Sequence, residues 1–258
     1  MNKQNLIDKK AKLVKSLRFI LKNRAGRDSS GTVSVRHRGH RSKRYYRIID
    51  FKRDKKDIPA TVLRIEKDPY RNSLIALVKY QDGQLRYVLQ SNGLKVGDKI
   101  INSEKAEIKN GNSLPLKNIP IGISVHNIEL YPGQGGQMVR AAGGMATVIA
   151  KEDKYVHLKL LSGEIRKFAE NCWATVGQVG NINHKDEVIG KAGRKIRMGI
   201  RPTVRGTAQN PRSHPHGGGE GRSGEGMHPK TPWGKQARGK KTRKNRLWSD
   251  FLIIQRRK

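Results

Sequence analysis

Residues 73–90, S-L-I-A-L-V-K-Y-Q-D-G-Q-L-R-Y-V-L-Q, settle the fold class. Two runs rich in branched and aromatic side chains, 73–80 and 84–90, flank Asp82-Gly83. That dipeptide is the strongest short-range hairpin signal, because the tight turn between paired strands demands positive φ at its centre. Upstream, 61–65 reads as a strand; downstream, 94–101 reads as another, with Gly97-Asp98 as its turn. Strands at this spacing predict a small antiparallel barrel of about five strands, resembling an OB-fold.

Further along, 110–120 carries Gly111, Pro115 and Pro120, the punctuation of a domain junction. A second set of short strands follows at 122–130, 145–150, 155–161, 164–168 and 172–178, with Ser162-Gly163 as a tight turn. Val156, Leu158 and Leu160 alternate with Tyr155, His157 and Lys159, so one set faces a core. This module looks like an SH3-like barrel. The predicted fold class is an all-β core: an OB-fold barrel at 54–117 and an SH3-like barrel at 118–189. Extended basic arms flank it at 1–53 and 190–258. Within the second module, loop 132–144 places five glycines and Arg140 among thirteen residues, a composition that lets backbone approach a partner closely.

Charge sets the arms apart. Residues 1–60 carry 19 Lys+Arg against 5 Asp+Glu, 61–190 carry 17 against 13, and 191–258 carry 19 against 3. Cationic arms of this density repel themselves unless a polyanion is present, and each phosphate they neutralise releases counterions. Nucleic acid is therefore the expected partner. In the first arm, Arg36, His37, Arg38, His40, Arg41, Lys43, Arg44 and Arg47 crowd around Tyr45 and Tyr46, whose rings offer stacking faces for bases. Lys52 and Arg53 extend the run. A solvated charged surface is the plainer alternative, but so many like charges in fifteen residues disfavour it.

Leu13, Leu17, Ile20 and Leu21 fall on one helical face among Lys12, Lys15, Arg18 and Lys22. That pattern suits an organellar presequence or membrane-surface helix, or a basic arm that orders on its partner. No apolar run approaches the roughly 20 residues of a membrane span. The lone cysteine, Cys172, excludes an intramolecular disulfide, and with no signal-peptide pattern a reducing compartment is expected. Between Pro202 and Arg246 the large apolar side chains are Val204, Met227 and Trp233, against nine glycines and five prolines. Such a segment is expected to lack a core and to become ordered inside a larger object. The apolar patch 251–254 is expected to be buried against a partner.

Catalytic readings fare poorly. His214, His216 and His228 lie close in sequence without a cysteine, and the nearby carboxylates are Glu220 and Glu225, so a structural zinc site lacks ligands. Magnesium held mainly by RNA phosphates fits Glu220 better. The run G-K-Q-A-R-G-K-K at 234–241 resembles a phosphate loop, but Lys241 stands where a hydroxyl should meet magnesium and no strand precedes it. A nuclease or acyl transferase with His214 or His216 as general base is one rival reading, although a base needs a rigid supporting shell. A non-specific nucleic-acid condensing protein is the other.

Several blocks resemble the bacterial type of the ribosomal protein "L two" family of the large subunit. They are R-P-T-V-R-G at 201–206, H-P-H-G-G-G-E-G-R at 214–222, T-P-W-G at 231–234 and K-K-T-R at 240–243. V-R-H-R at 35–38, Y-R-I-I-D-F-K-R at 46–53, L-K-V-G-D at 94–98, V-H-N-I-E-L at 125–130, G-G-Q-M-V-R at 135–140, G-Q-V-G-N at 177–181 and G-K-A-G-R-K at 190–195 agree in order. The resemblance implies an OB-fold, an SH3-like barrel and termini threaded into ribosomal RNA. It implies support of assembly and subunit association near the peptidyl transferase region, with no enzymatic activity and no cofactor beyond structural Mg2+ associated with RNA. The partners implied are large-subunit rRNA, small-subunit rRNA at the interface and neighbouring ribosomal proteins, in a cytoplasmic or organellar ribosome. A histidine aligned with His214 has been proposed to aid peptide-bond formation. Charge and resemblance together nominate Arg194, Lys195, Arg201, Arg205, His214, His216, Arg222, Trp233, Arg238, Lys240, Lys241 and Arg243 as RNA-binding in the second arm.

Overall fold

The structure, a computed structural model, describes residues 14–244 and 247–257. It divides into two compact units. One comprises the chain up to Leu21, Lys43–Val188 and the tail from Trp248; the other comprises Lys22–Ser42 and Ile189–Leu247.

In the first unit, β1 (Arg18–Ile20) pairs antiparallel with β2 (Tyr45–Arg47). The amphipathic pattern at 13–21 is thus not a helix over its described part: a short 3-10 turn, Lys15–Leu17, leads into a strand. Leu13 lies outside the described residues. The OB-fold sheet follows with β3 (Ala60–Lys67), β4 (Leu74–Tyr80), β5 (Leu85–Leu89) and β6 (Lys99–Ile100), in spatial order β5-β4-β3-β6. Asp82-Gly83 makes the expected turn: Gly83 has φ +82°, and its N–H donates to Tyr80 O at 2.9 Å.

β4 is a nearly unbroken apolar run because both its faces are buried. Ala76, Val78 and Tyr80 join Val62, Ile65 and Val88 inside the barrel. Ile75 and Leu77 point the other way, with Ile49 and Tyr87, and Val14, Leu17 and Phe51 pack over them. Part of the first basic segment therefore covers the outer face of the sheet. Ile49 also bridges to Tyr87 in parallel fashion.

The second barrel begins earlier than the junction signals suggest. β7 (Ser113–Pro115) belongs to its sheet, so the chain passes between barrels ahead of residue 113. β8 (Ser124–His126), β9 (Ile128–Glu129), β10 (Gly136–Met138), β11 (Ala146–Glu152), β12 (Tyr155–Lys159), β13 (Ile165–Ala169) and β14 (Trp173–Val176) follow. Val125, Ile128, Val148, Val156, Leu158, Phe168 and Val176 fill its core, as the alternation in β12 requires. At the end of the chain β15 (Ile253–Gln255) pairs with β13, and Trp248 stacks on Tyr131 with ring centroids 5.9 Å apart. The 251–254 patch thus meets the chain's own barrel through β15, though Phe251 and Ile254 stay exposed.

The two barrels are tied by polar contacts. His126 is fully buried; its Nδ1 lies 2.8 Å from Gly177 O and its Nε2 3.3 Å from Ser91 Oγ. The carbonyl can only accept, so Nδ1 carries the proton and Nε2 accepts. Burial holds the imidazole pKa down to about 4. Among the described residues, no helix is long and apolar enough to cross a membrane.

The second unit corrects the picture of two shapeless arms. Gly39 N–H donates to Gly199 O at 3.0 Å, Ser42 N–H to Arg197 O at 3.0 Å and Arg201 N–H to His37 O at 3.0 Å. These bonds join the N-terminal segment to α1 (Ala192–Arg197) and the chain that follows it. Residues 205–237 then fold into successive turns without any strand or α-helix.

Candidate nucleic-acid interface

In the barrel unit, a cleft of about 600 Å³ is lined by Tyr46, Phe51, Tyr70, Arg71, Asn72, Leu89, Arg140 and Ala141. The Arg140 guanidinium lies 4.5 Å over the Phe51 ring. Arg71 lies 4.8 Å over Tyr46 and donates to its hydroxyl at 2.8 Å. Arg44 lies 4.4 Å over Tyr70 and donates to Pro69 O at 2.8 Å. Tyr46 is half-buried, flanked by Phe19 at 5.0 Å and Tyr70 at 5.3 Å. Its ring therefore serves first as a seat for Arg71, not as the free stacking face that the sequence suggests.

Arg140 owes its place to a loop pinned from below. The buried Glu129 carboxylate accepts from the N–H groups of Gly133 at 3.2 Å, Gly135 at 2.9 Å and Trp173 at 3.0 Å. Gly136 N–H reaches Phe51 O at 2.9 Å, and a Cβ there would sit 2.2 Å from Asn127 Oδ1. The glycines of this loop let it close on the chain's own backbone, and the loop presents an exposed Arg140 on a fixed base. Arg71 was missed from sequence because the stretch D-P-Y-R-N reads as an ordinary turn between strands. The signal available was an arginine beside Tyr70 that could reach the Tyr46 ring.

Two nominated cations are interior. Arg47 is buried and donates to Tyr45 O at 3.1 Å. Arg53, 5% exposed with φ +51°, donates from Nη2 to Gly111 O at 2.9 Å, and Asp50 Oδ1 accepts from its backbone N–H at 2.8 Å. Burial pulls its guanidinium below the ordinary arginine range. Both arginines act as internal struts, so their nomination as RNA contacts is corrected. Lys43 and Lys52 remain exposed.

In the second unit, Arg36, His37, Arg38, Arg194, Lys195 and Arg201 are exposed, and Arg41 is half-buried. The bonds between residues 37–42 and 197–201 bring these two basic stretches side by side. Arg205, Arg222, Arg238, Lys240, Lys241, Arg243 and Trp233 are also exposed, Trp233 at 75%. His214 and His216 are buried, with ring centroids 4.8 Å apart. The expectation that this stretch has no interior is therefore corrected: it has a small polar one. Among the described residues, no group of three or more His, Cys, Asp or Glu is arranged to hold a metal ion. Glu220 is exposed, and its backbone carbonyl accepts from Ser223 Oγ at 3.1 Å.

Exposed guanidinium and ammonium groups on a carboxylate-poor surface neutralise phosphates, and arginines seated on rings hold a fork geometry suited to them. Comparison with known proteins agrees. Residues 14–102 match the family model "Ribosomal Proteins L2, RNA binding N-terminal domain" and residues 109–234 match "Ribosomal Proteins L2, C-terminal domain". The chain is 56% identical over 233 residues to "Large ribosomal subunit protein uL2" of Buchnera aphidicola subsp. Acyrthosiphon pisum (strain Tuc7), covering 90% of this chain and 85% of that protein. The two barrels and the cationic second unit thus belong to a member of the L2 family of ribosomal proteins, of the bacterial type.

Proposed function

We propose that the chain is a structural constituent of the large ribosomal subunit in cytoplasmic ribosomes, where it binds large-subunit rRNA, supports assembly and helps join the subunits near the peptidyl transferase region. One observation carries this reading: the second unit holds 22 Lys+Arg against 3 Asp+Glu, and most of those cations are exposed. Arg36, Arg38, Arg201, Arg205 and Arg222 form no ion pair with a carboxylate among the described residues, which leaves them available to phosphates. In the barrel unit, the exposed Arg140 lining the cleft is a second contact for RNA, while Arg71 is held beside it by the Asp68 carboxylate. Small-subunit rRNA and neighbouring ribosomal proteins are further partners, and Mg2+ held through RNA phosphates near Glu220 would screen the convergence of helices. The chain acts without turnover; its histidines are structural.

Sucrose-gradient sedimentation tests the reading. The native protein should travel with the large particle in 1:1 proportion to its RNA, whereas accumulation at the top of the gradient would refute it. The rival, a histidine-dependent nuclease or transferase, would instead show turnover by isolated protein that His214→Ala abolishes.

A further inference from the structure

His214 and His216 are the buried polar residues of the second unit, and each accepts a backbone hydrogen bond through a different ring nitrogen. His216 N–H donates to His214 Nδ1 at 3.0 Å. Lys230 N–H donates to His216 Nε2 at 2.9 Å, across fourteen residues of chain. An accepting nitrogen carries no proton, so His214 holds its proton on Nε2 and His216 on Nδ1. That second proton faces the Glu225 carboxylate, with Nδ1 3.9 Å from Oε1. The His214 ring also fills the space that a side chain at residue 206 would need: a Cβ on Gly206 would lie 2.5 Å from His214 Cε1.

The surrounding bonds give the pair its meaning. His214 N–H donates to Asn210 O at 3.2 Å, and Gly217 N–H to His214 O at 2.9 Å, closing one set of turns. Thr231 N–H donates to Lys235 O at 2.7 Å and Ala237 N–H to Pro229 O at 2.8 Å, closing another. His216 joins the two. We propose that His214 and His216 are positioning residues, a two-imidazole clasp in opposite tautomers. The clasp fixes the turn bearing Arg205 to the turn bearing Trp233 by committing one nitrogen of each ring to a backbone amide. The proposal rests on the proposed function only for what those turns present to RNA; the clasp itself belongs to the protein alone.

The test exploits amide side chains that imitate one ring nitrogen each. Asparagine places its oxygen near the position of Nδ1, and glutamine near that of Nε2. In the full-length, RNA-free protein, His214→Asn and His216→Gln should keep the His216 and Lys230 amides protected from exchange. His214→Gln and His216→Asn should speed exchange of the corresponding amide by about tenfold or more, as expected when one buried hydrogen bond is removed. Gly206→Ala, at a φ that alanine tolerates, should act like His214→Gln by pushing the ring aside. Nitrogen-15 spectra of the wild-type imidazoles should show opposite tautomers at the two positions. Identical tautomers, or equal effects of Asn and Gln at either position, would overturn the clasp. Affinity for a large-subunit rRNA fragment is measured separately: an intact crossover pattern with no RNA binding would sink the functional reading and leave the clasp standing.

Discussion

The two units of this chain are built on opposite principles. The barrel unit carries 33 Lys+Arg against 18 Asp+Glu and three clusters of buried apolar side chains. The second unit carries 22 against 3 and is organised by backbone hydrogen bonds and two buried imidazoles. Burial of apolar area stabilises the first in water by itself. Self-repulsion opposes the second, and phosphate relieves it. Stability and binding are therefore separable here: one unit supplies the folded platform, and the other most of the charge.

Perturbing each unit in turn tests this division of labour. Leu158→Ala, at a fully buried site of the second barrel, should cost about 2–5 kcal/mol and lower the main melting transition. A change below about 1 kcal/mol by denaturant titration would mean that the barrel core does not govern folding. The next effect comes from acid. His126 has an ordinary pKa near 6.5 and is held at about 4 by burial, so the unfolded chain takes up its proton first. Its contribution is full above pH 6.5 and falls through the window from 6.5 to 4, by roughly 3 kcal/mol for this group. His126→Gln should flatten that part of the pH profile, and an unaltered slope would remove His126 from the account. A smaller effect is expected of Gly83→Ala: at φ +82° a Cβ is strained, so roughly 1 kcal/mol should be lost without change in RNA affinity. Last in stability is the triple variant Arg205→Ala, Arg222→Ala, Arg243→Ala. It should leave melting within about 0.5 kcal/mol of wild type while impairing particle assembly. A large melting loss would erase the distinction between the units.

Much of the barrel unit was legible because periodicity reports burial. The Asp82-Gly83 hairpin and the alternation of Val156 and Leu158 both translate directly into strands. What escaped were features fixed by distant partners. β7, β10 and β15 are three-residue strands whose pairing depends on the barrel they join, and no local period marks them. Charge density likewise pointed to RNA but could not separate exposed Arg38 from buried Arg47 and Arg53. For Arg53 that sorting depends on Gly111, far away in sequence, whose carbonyl accepts from its guanidinium. The clasp was hidden for the same reason: a histidine-rich, glycine-rich segment looks coreless until His216 is seen to meet Lys230.

If exposed cations of the second unit carry recognition, the salt dependence of rRNA binding must report them. With ten phosphates engaged on helical RNA, log affinity should fall against log salt with a slope of about −9. The triple arginine variant should make it shallower by up to about 0.9 for each phosphate no longer neutralised. A slope near zero, or one that the three substitutions leave unchanged, would contradict the account.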